Sequence, residues 1–299
     1  MAPVVVLGPT ASGKSDVAMA AARAVAGTEI VAVDAMQVYR GMDVGTAKPT
    51  AADRAAVPHH ALDLAAPSAT FTVHDYRAAY DVAVAAIGGP ALLVAGTGLY
   101  LTAVVDRLDI PGRWPDVRAE LEATPDLGAL HARLRHLDPV AAARIEPTNR
   151  RRIVRALEVT VGSGRPFSSF GPGMQAYPPT AVVMIGLRWP RPVLAERIVA
   201  RVHGMMASGL LDEVERIWAA GMSRTAAQAL GYKELIEHLE GRSTLDWAVG
   251  ATIDRTRQFA VRQERWFRRD PRVRWIDVDR DPVAEVAPVV VAALDEQLG

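Results

Sequence analysis

Short continuous apolar runs recur along the chain, and most are followed by a stretch whose apolar positions return every three or four residues. Residues 3–8, built on Val4, Val5, Val6 and Leu7, read as a buried strand, and Gly13 to about Val25 as the helix that it feeds. "TEIVAVD" (28–34) predicts a second strand that ends on Asp34, and helical spacing covers 73–87. "PALLVAG" (90–96) predicts a third strand, with a helix starting near Thr97; "AVVMIGL" (181–187) and "VRWIDV" (273–278) are further strands. Apolar runs alternating with helical stretches imply an α/β fold whose parallel sheet is covered on both faces. Ligands of such folds collect beyond the carboxyl ends of the strands, where Gly8, Asp34 and Gly96-Thr97 all fall.

Between 107 and 180 the strand signal vanishes. "PDVRAELEAT", "LGALHARLRHLD", "DPVAAARI" and "TNRRRIVRALEVTVG" carry helical spacing, followed by the Gly/Pro-rich connection "SGRPFSSFGPGMQAYPP". The pattern predicts an all-helical insertion over 107–180 in a core made of 1–106 and 181–299. From about 190 the chain reads as helical again, to about 269.

Composition narrows the chemistry. The 299 residues include no cysteine, which excludes disulfides and cysteine-ligated metal centres. The chain starts directly on a strand, without a leader pattern, and no apolar stretch approaches the roughly 20 residues of a membrane span. A cytoplasmic protein without membrane contact is the expectation. Net charge is zero, so nucleic-acid binding has no global signature. Among 34 basic side chains only Lys14, Lys48 and Lys233 are lysines. Against that bias they mark sites that need a compact ammonium rather than a planar fork.

"GPTASGKS" (8–15) fits the phosphate-cradling pattern G-x-x-x-x-G-K-[ST] between a strand and a helix, which makes the core P-loop NTPase-like. Its backbone N–H groups and the helix N-terminus form an anion site; Lys14 would neutralise phosphate oxygens and Ser15 would offer its hydroxyl to Mg2+. The loop alone allows ATP hydrolysis, kinase chemistry or the grip on a departing pyrophosphate. Asp34 reads equally as a catalytic base, a magnesium contact or a helix cap. Thr97, between Gly96 and Gly98, suits hydrogen bonding to a ligand or capping of the next helix. "QVYRGMDVGTAKP" is a long polar loop of the kind that closes over a substrate. Two arginine-rich segments fit contact with a phosphate backbone: "NRRRIVR" (149–155), and a helix over 254–269 with Arg255, Gln258, Arg262, Arg265 and Arg269 on one stripe. Phe259 and Trp266 lie on another face. No D-D-x-x-D cluster is present, so a prenyl diphosphate, if used, must sit in the phosphate loop.

Taken together, "GPTASGKS", "VDAMQVYRGMDVGTAKP", "PHHALD", "AGTGLYL", "DPVAAARIEPTNRRRIVRALEV", "RIVARVHGMMASGLLDEV", "QALGYKEL" and "TRQFAVRQERWFRR" resemble the tRNA dimethylallyltransferase family, in its order and over nearly the whole chain. The resemblance implies transfer of a dimethylallyl group from dimethylallyl diphosphate to N6 of adenine 37 beside the tRNA anticodon, with Mg2+ and as a monomer. It implies that Asp34 accepts the N6 proton, that Thr97 bonds in the reaction centre, and that Arg201 lies near the diphosphate. Gly8, Pro9, Thr10, Ala11, Ser12, Gly13, Lys14 and Ser15 would form the donor site. Asp34, Ala35, Met36, Gln37 and Thr97 would surround the extruded adenine. Arg118, Arg151, Arg152, Gln228, Gly231, Tyr232 and Lys233 would be further tRNA contacts. Ala35, Ala95, His203 and Val261 depart from the residues frequent in the family. The rival readings are prenylation of free AMP, ADP or ATP, which needs neither insertion nor arginine stripes, a small-molecule kinase, and a non-catalytic RNA-binding nucleotide switch.

Overall fold

The computed structural model describes residues 1–171 and 176–298. Part of the Gly/Pro-rich connection, 172–175, lies outside the described residues. The chain divides into two compact units, Met1–Val105 with Tyr177–Gly299, and Asp106–Ala176.

The first unit is built on a parallel sheet. Its strands are β1 (Val4–Leu7), β2 (Glu29–Val33), β3 (His59–His60), β4 (Ala91–Ala95), β5 (Val183–Arg188) and β6 (Val273–Asp277), in the order β3-β2-β4-β1-β5-β6. Period-two alternation sends successive side chains to opposite faces. Val4 and Val6 join Ile30, Leu92 and Ile185 in one core; Val5 and Leu7 join Val31, Val33 and Leu93 in the other. The first core is closed by α1 (Lys14–Ala24) and by α13 (Pro282–Leu298), through Val17, Ala21, Val286 and Val290. The second is covered by α3 (Val73–Ala86) and α4 (Gly98–Val105), where Tyr76 and Tyr100 pack at 4.5 Å between ring centres. The buried Tyr76 hydroxyl donates to the Ala32 carbonyl.

Three elements were not expected from the sequence. β3 has two residues, too few to show a period, and exists because Ile30 and Val31 pair with His59 and His60. It follows the one-and-a-half-turn α2 (Ala51–Ala56), held by a Thr50–Asp53 capping box. The closing helix α13 contains Pro288 and a run of β-branched valines, which obscure its helical signal.

The second unit contains α5 (Pro115–Ala123), α6 (Leu127–Leu137), α7 (Pro139–Arg144) and α8 (Arg150–Ser163), packed on Leu121, Leu130, Leu134, Ile153 and Leu157. Buried Asp138 caps α7 through the Ala141 N–H and accepts from the Ser168 N–H and hydroxyl. Gly162 lets Trp114 lie on α8, since a β-carbon there would stand 2.1 Å from the indole. Returning to the first unit, α9 (Arg191–Ala207), α10 (Leu210–Ala220), α11 (Tyr232–Leu239) and α12 (Leu245–Phe267) account for the helical reading after 190. No helix among the described residues is long and apolar enough to cross a membrane.

Candidate active site

β1 and β4 are neighbours in the sheet, yet the chain leaves them toward opposite edges, to β2 and to β5. A crevice opens at their carboxyl ends. Leu7 and Ala95 are the last paired residues, and beyond them the strands part into the phosphate loop and the Gly96-Thr97 turn.

The loop takes its shape from two left-handed residues, Ala11 (φ 63°) and Gly13 (φ 88°). At Gly13 a β-carbon would also fall 2.6 Å from the Pro282 ring. The loop's carbonyls are tied from outside. Arg197 Nε donates to Ala11 O at 2.8 Å and Trp189 Nε1 to Ser12 O at 2.9 Å, with the Arg197 guanidinium stacked on the Trp189 ring. No side chain caps α1, so its first N–H groups stay available to an anion.

Lys14 and Arg201 share the wall between two adjoining cavities, of about 720 and 490 Å³. Desolvation, then the neighbouring Arg201, lowers the Lys14 ammonium to about 8. Desolvation likewise pulls Arg201 below its ordinary value, against the attraction of Asp34 and Asp16. Among the described residues neither cation has a carboxylate partner within ion-pair distance. Two desolvated cations without an ion-pair partner fit a ligand carrying several negative charges.

Across the smaller cavity stand Asp34 and Thr97. Asp34 Oδ1 accepts from the N–H groups of Met36 (2.8 Å) and Gln37 (3.4 Å), which fixes the carboxylate at the end of β2. Its other oxygen is so close to Gly96 that a β-carbon there would lie 2.8 Å away. The Thr97 hydroxyl accepts from the Ala35 N–H at 3.0 Å, joining the tips of β2 and β4 rather than capping α4. Ala35, Met36 and Gln37 line the same cavity, and so do Gln228, Gly231, Phe259, Arg262 and Trp266. Gly98 admits the Trp266 indole, which would be 2.1 Å from a β-carbon at that position. Gln263, inside "TRQFAVRQERWFRR" but given no role there, also joins the site: it is buried and bonds both Thr10 and Gly96.

Ser12 is fully buried, its N–H donates to Pro9 O, and it lines neither cavity. Gly8 and Pro9 are buried and shape the loop from behind. Tyr232 has no exposed surface, and its hydroxyl donates to Glu213 at 2.5 Å. Lys48 is a clasp rather than a ligand group: its buried ammonium meets Asp43 (2.8 Å), Asp63 (2.6 Å) and the Tyr39 carbonyl. That is a task for a compact ammonium. Lys233 is half-buried on the first turn of α11. The arginine stripe divides: Arg255 pairs with buried Glu234, Arg262 faces the cavity, and Arg269 lies past the helix end.

In the helical unit, Arg150 and Arg155 turn inward, Arg150 to the Thr124 and Glu122 carbonyls and Arg155 to Pro111 and Glu158. Arg151 and Arg152 are left exposed. Arg118 pairs with Glu122 at 2.8 Å and with buried Glu158 at 3.4 Å, so its charge is already partnered. Among the described residues no cluster of three His, Asp or Glu side chains could hold a metal ion.

Comparison with known proteins extends this picture. The family model described as IPP transferase matches residues 37–270, and that described as isopentenyl transferase matches residues 1–59. A tRNA dimethylallyltransferase of Kineococcus radiotolerans is 49% identical, over 97% of this chain and 98% of its own. The crystal structure of the tRNA isopentenylpyrophosphate transferase of Bacillus halodurans is 37% identical, with a TM-score of 0.71 over 99% of this chain and 98% of that one. A eukaryotic dimethylallyltransferase acting on tRNA shares the fold, with a TM-score of 0.84 at 21% identity over 99% of this chain and 79% of that one. The phosphate-loop sheet and the match over almost all of both chains lead to one conclusion: the protein belongs to the IPP transferase family.

Proposed function

We propose that the protein transfers a dimethylallyl group from dimethylallyl diphosphate to N6 of the adenine beside the tRNA anticodon, at position 37, and acts in the cytoplasm on its tRNA. The observation that carries this reading is the shared wall: Lys14, Ser15 and Arg201 line both cavities, and the smaller one also holds Asp34 and Thr97. The names of the relatives support the reaction class.

In this reading the C–O bond of the donor breaks with its electron pair going to the diphosphate. The N–H groups at the start of α1, Lys14 and Arg201 stabilise the charge that develops there. The N6 lone pair forms the new N–C bond, and the N6 proton passes to Asp34. Asp34 is held ready by the Met36 and Gln37 amides, and Thr97 keeps the β2 and β4 tips together. Extruding the base costs a few kcal/mol and gives access to N6. Mg2+ fits the residues present through the exposed Ser15 hydroxyl beside Lys14, with the donor's own oxygens as further ligands, as Mg2+ prefers. When bound, the ion adds positive charge at the leaving group. The exposed Arg151 and Arg152 of the helical unit supply phosphate-backbone contacts.

The test is to incubate the chain with Mg2+, dimethylallyl diphosphate and an anticodon stem–loop, and in parallel with AMP or with ATP, and to weigh the RNA and the nucleotides. The expected result is a gain of one C5H8 unit per RNA. Prenylated AMP with unchanged RNA would assign the protein to free-nucleotide chemistry, and phosphoryl transfer from ATP without prenyl product to a kinase.

A further inference from the structure

Glu213, in the first turn of α10, is a buried carboxylate that the chemistry above does not use. Its Oε2 accepts from the N–H groups of Asp43 and Val44, both at 2.9 Å. Its Oε1 accepts from the Gly45 N–H at 3.1 Å and from the Tyr232 hydroxyl at 2.5 Å. Four donors occupy the lone pairs of a carboxylate, so none remains for a ligand. Tyr232 lies flat beneath the loop: a β-carbon at Gly45 would stand 2.5 Å from its ring.

The two segments that Glu213 joins both border the smaller cavity: Gly45, Thr46 and Ala47 line it, and so do Gln228 to Gly231, which lead directly into Tyr232. The loop also sets a base-facing side chain. Gln37 Nε2 donates to Thr46 O (3.1 Å) and Ala47 O (3.3 Å), immediately after the amides that Glu213 holds. The second segment is fastened further, because the Gly231 N–H donates to Glu234 at 2.8 Å, and Glu234 pairs with Arg255 of α12.

Resting on the function proposed above, we propose that Glu213 is a positioning residue for the acceptor, joining the Asp43–Gly45 loop to Tyr232 and thereby fixing the lining of the cavity that receives the base. The donor's anchors, Lys14 and the start of α1, do not depend on this link. Replacing one carboxylate oxygen by an NH2 group leaves a single acceptor for the Asp43, Val44 and Gly45 N–H groups and sets a donor against the rest, so the loop carrying Gln37's partners loses part of its anchor.

The test compares Glu213→Gln and Tyr232→Phe with the wild-type chain in the stem–loop assay, together with amide exchange. Glu213→Gln should raise KM for the RNA about tenfold or more while KM for the donor stays within about threefold. Tyr232→Phe keeps the loop amides bonded and should raise the RNA KM about threefold at a nearly unchanged melting temperature; it decides the matter if Glu213→Gln fails to fold. Exchange at Asp43, Val44 and Gly45 should accelerate in Glu213→Gln together with that at Gly231. Unchanged RNA KM in the folded variants, or donor KM rising in parallel, overturns the inference. If the wild-type chain transfers nothing to RNA, the proposed function fails, and the exchange experiment still decides whether Glu213 couples the two segments: separate responses of the loop and Gly231 refute it.

Discussion

Gln263 donates to the Gly96 carbonyl at 2.6 Å while its amide oxygen accepts from the Thr10 N–H at 2.8 Å. The side chain thus stands in for a peptide group at the point where β1 and β4 part, and adds one more rung between the phosphate loop and the Thr97 turn. Gln263→Leu leaves both backbone groups without a partner. At about 1–3 kcal/mol for each orphan when fully buried, urea unfolding should show a loss of about 2–6 kcal/mol, toward the lower end because the Thr10 bond is part-buried. A change below about 0.5 kcal/mol would mean that the two strand tips hold their positions without it.

Asp34 is held through one oxygen by the Met36 and Gln37 amides. Asp34→Asn preserves an acceptor for those N–H groups but removes the basicity. The expected outcome is a fall in kcat of about 10²–10⁴, with RNA affinity in a binding assay near that of the wild type. Full turnover by the variant would take Asp34 out of the proton transfer.

The helical unit separates its arginines by partner. Arg150 and Arg155 are engaged with carbonyls and Glu158, whereas Arg151 and Arg152 face solvent. Replacing Arg151 and Arg152 by alanine should weaken tRNA binding and flatten its dependence on log salt concentration by about 1–2 in slope, without lowering the melting temperature. An unchanged slope would place the phosphate contacts elsewhere.

The clasp around Lys48 gives a stability dependence at acid pH. Burial alone would raise the Asp63 carboxyl, but its hydrogen bonds to Lys48 and Arg54 outweigh this and hold it below its ordinary value of 3.8. A group depressed on folding stabilises the native state above its unfolded pKa, and that contribution is lost as pH falls through the folded value. The wild-type chain should therefore lose stability below about pH 4, and Asp63→Asn should lose less over the same interval while being less stable at pH 7, as measured by chemical unfolding.

The family resemblance and the site chemistry were legible because both reside in consecutive residues. A strand running into "GPTASGKS" forms an anion cradle from its own backbone, and Asp34 and Gly96-Thr97 reach the crevice simply by ending strands. Apolar runs of four to six residues also marked five of the six strands. The sixth, β3, is too short to have a period, and the valines and Pro288 of α13 argue locally against the helix that packing imposes.

What the tertiary structure decided is which side chains act and which support. The phosphate-loop pattern marks Lys14, but nothing local announces that Lys48 is enclosed by Asp43 and Asp63. Tyr232 lies in a motif expected to touch RNA, but its ring is buried under Gly45 and its hydroxyl is taken by Glu213. Gln263 and Thr10 are 253 positions apart, so no periodicity could connect them. Backbone conformation follows from neighbours in sequence, whereas the partner of a buried polar group is chosen by whatever the fold brings within hydrogen-bond reach.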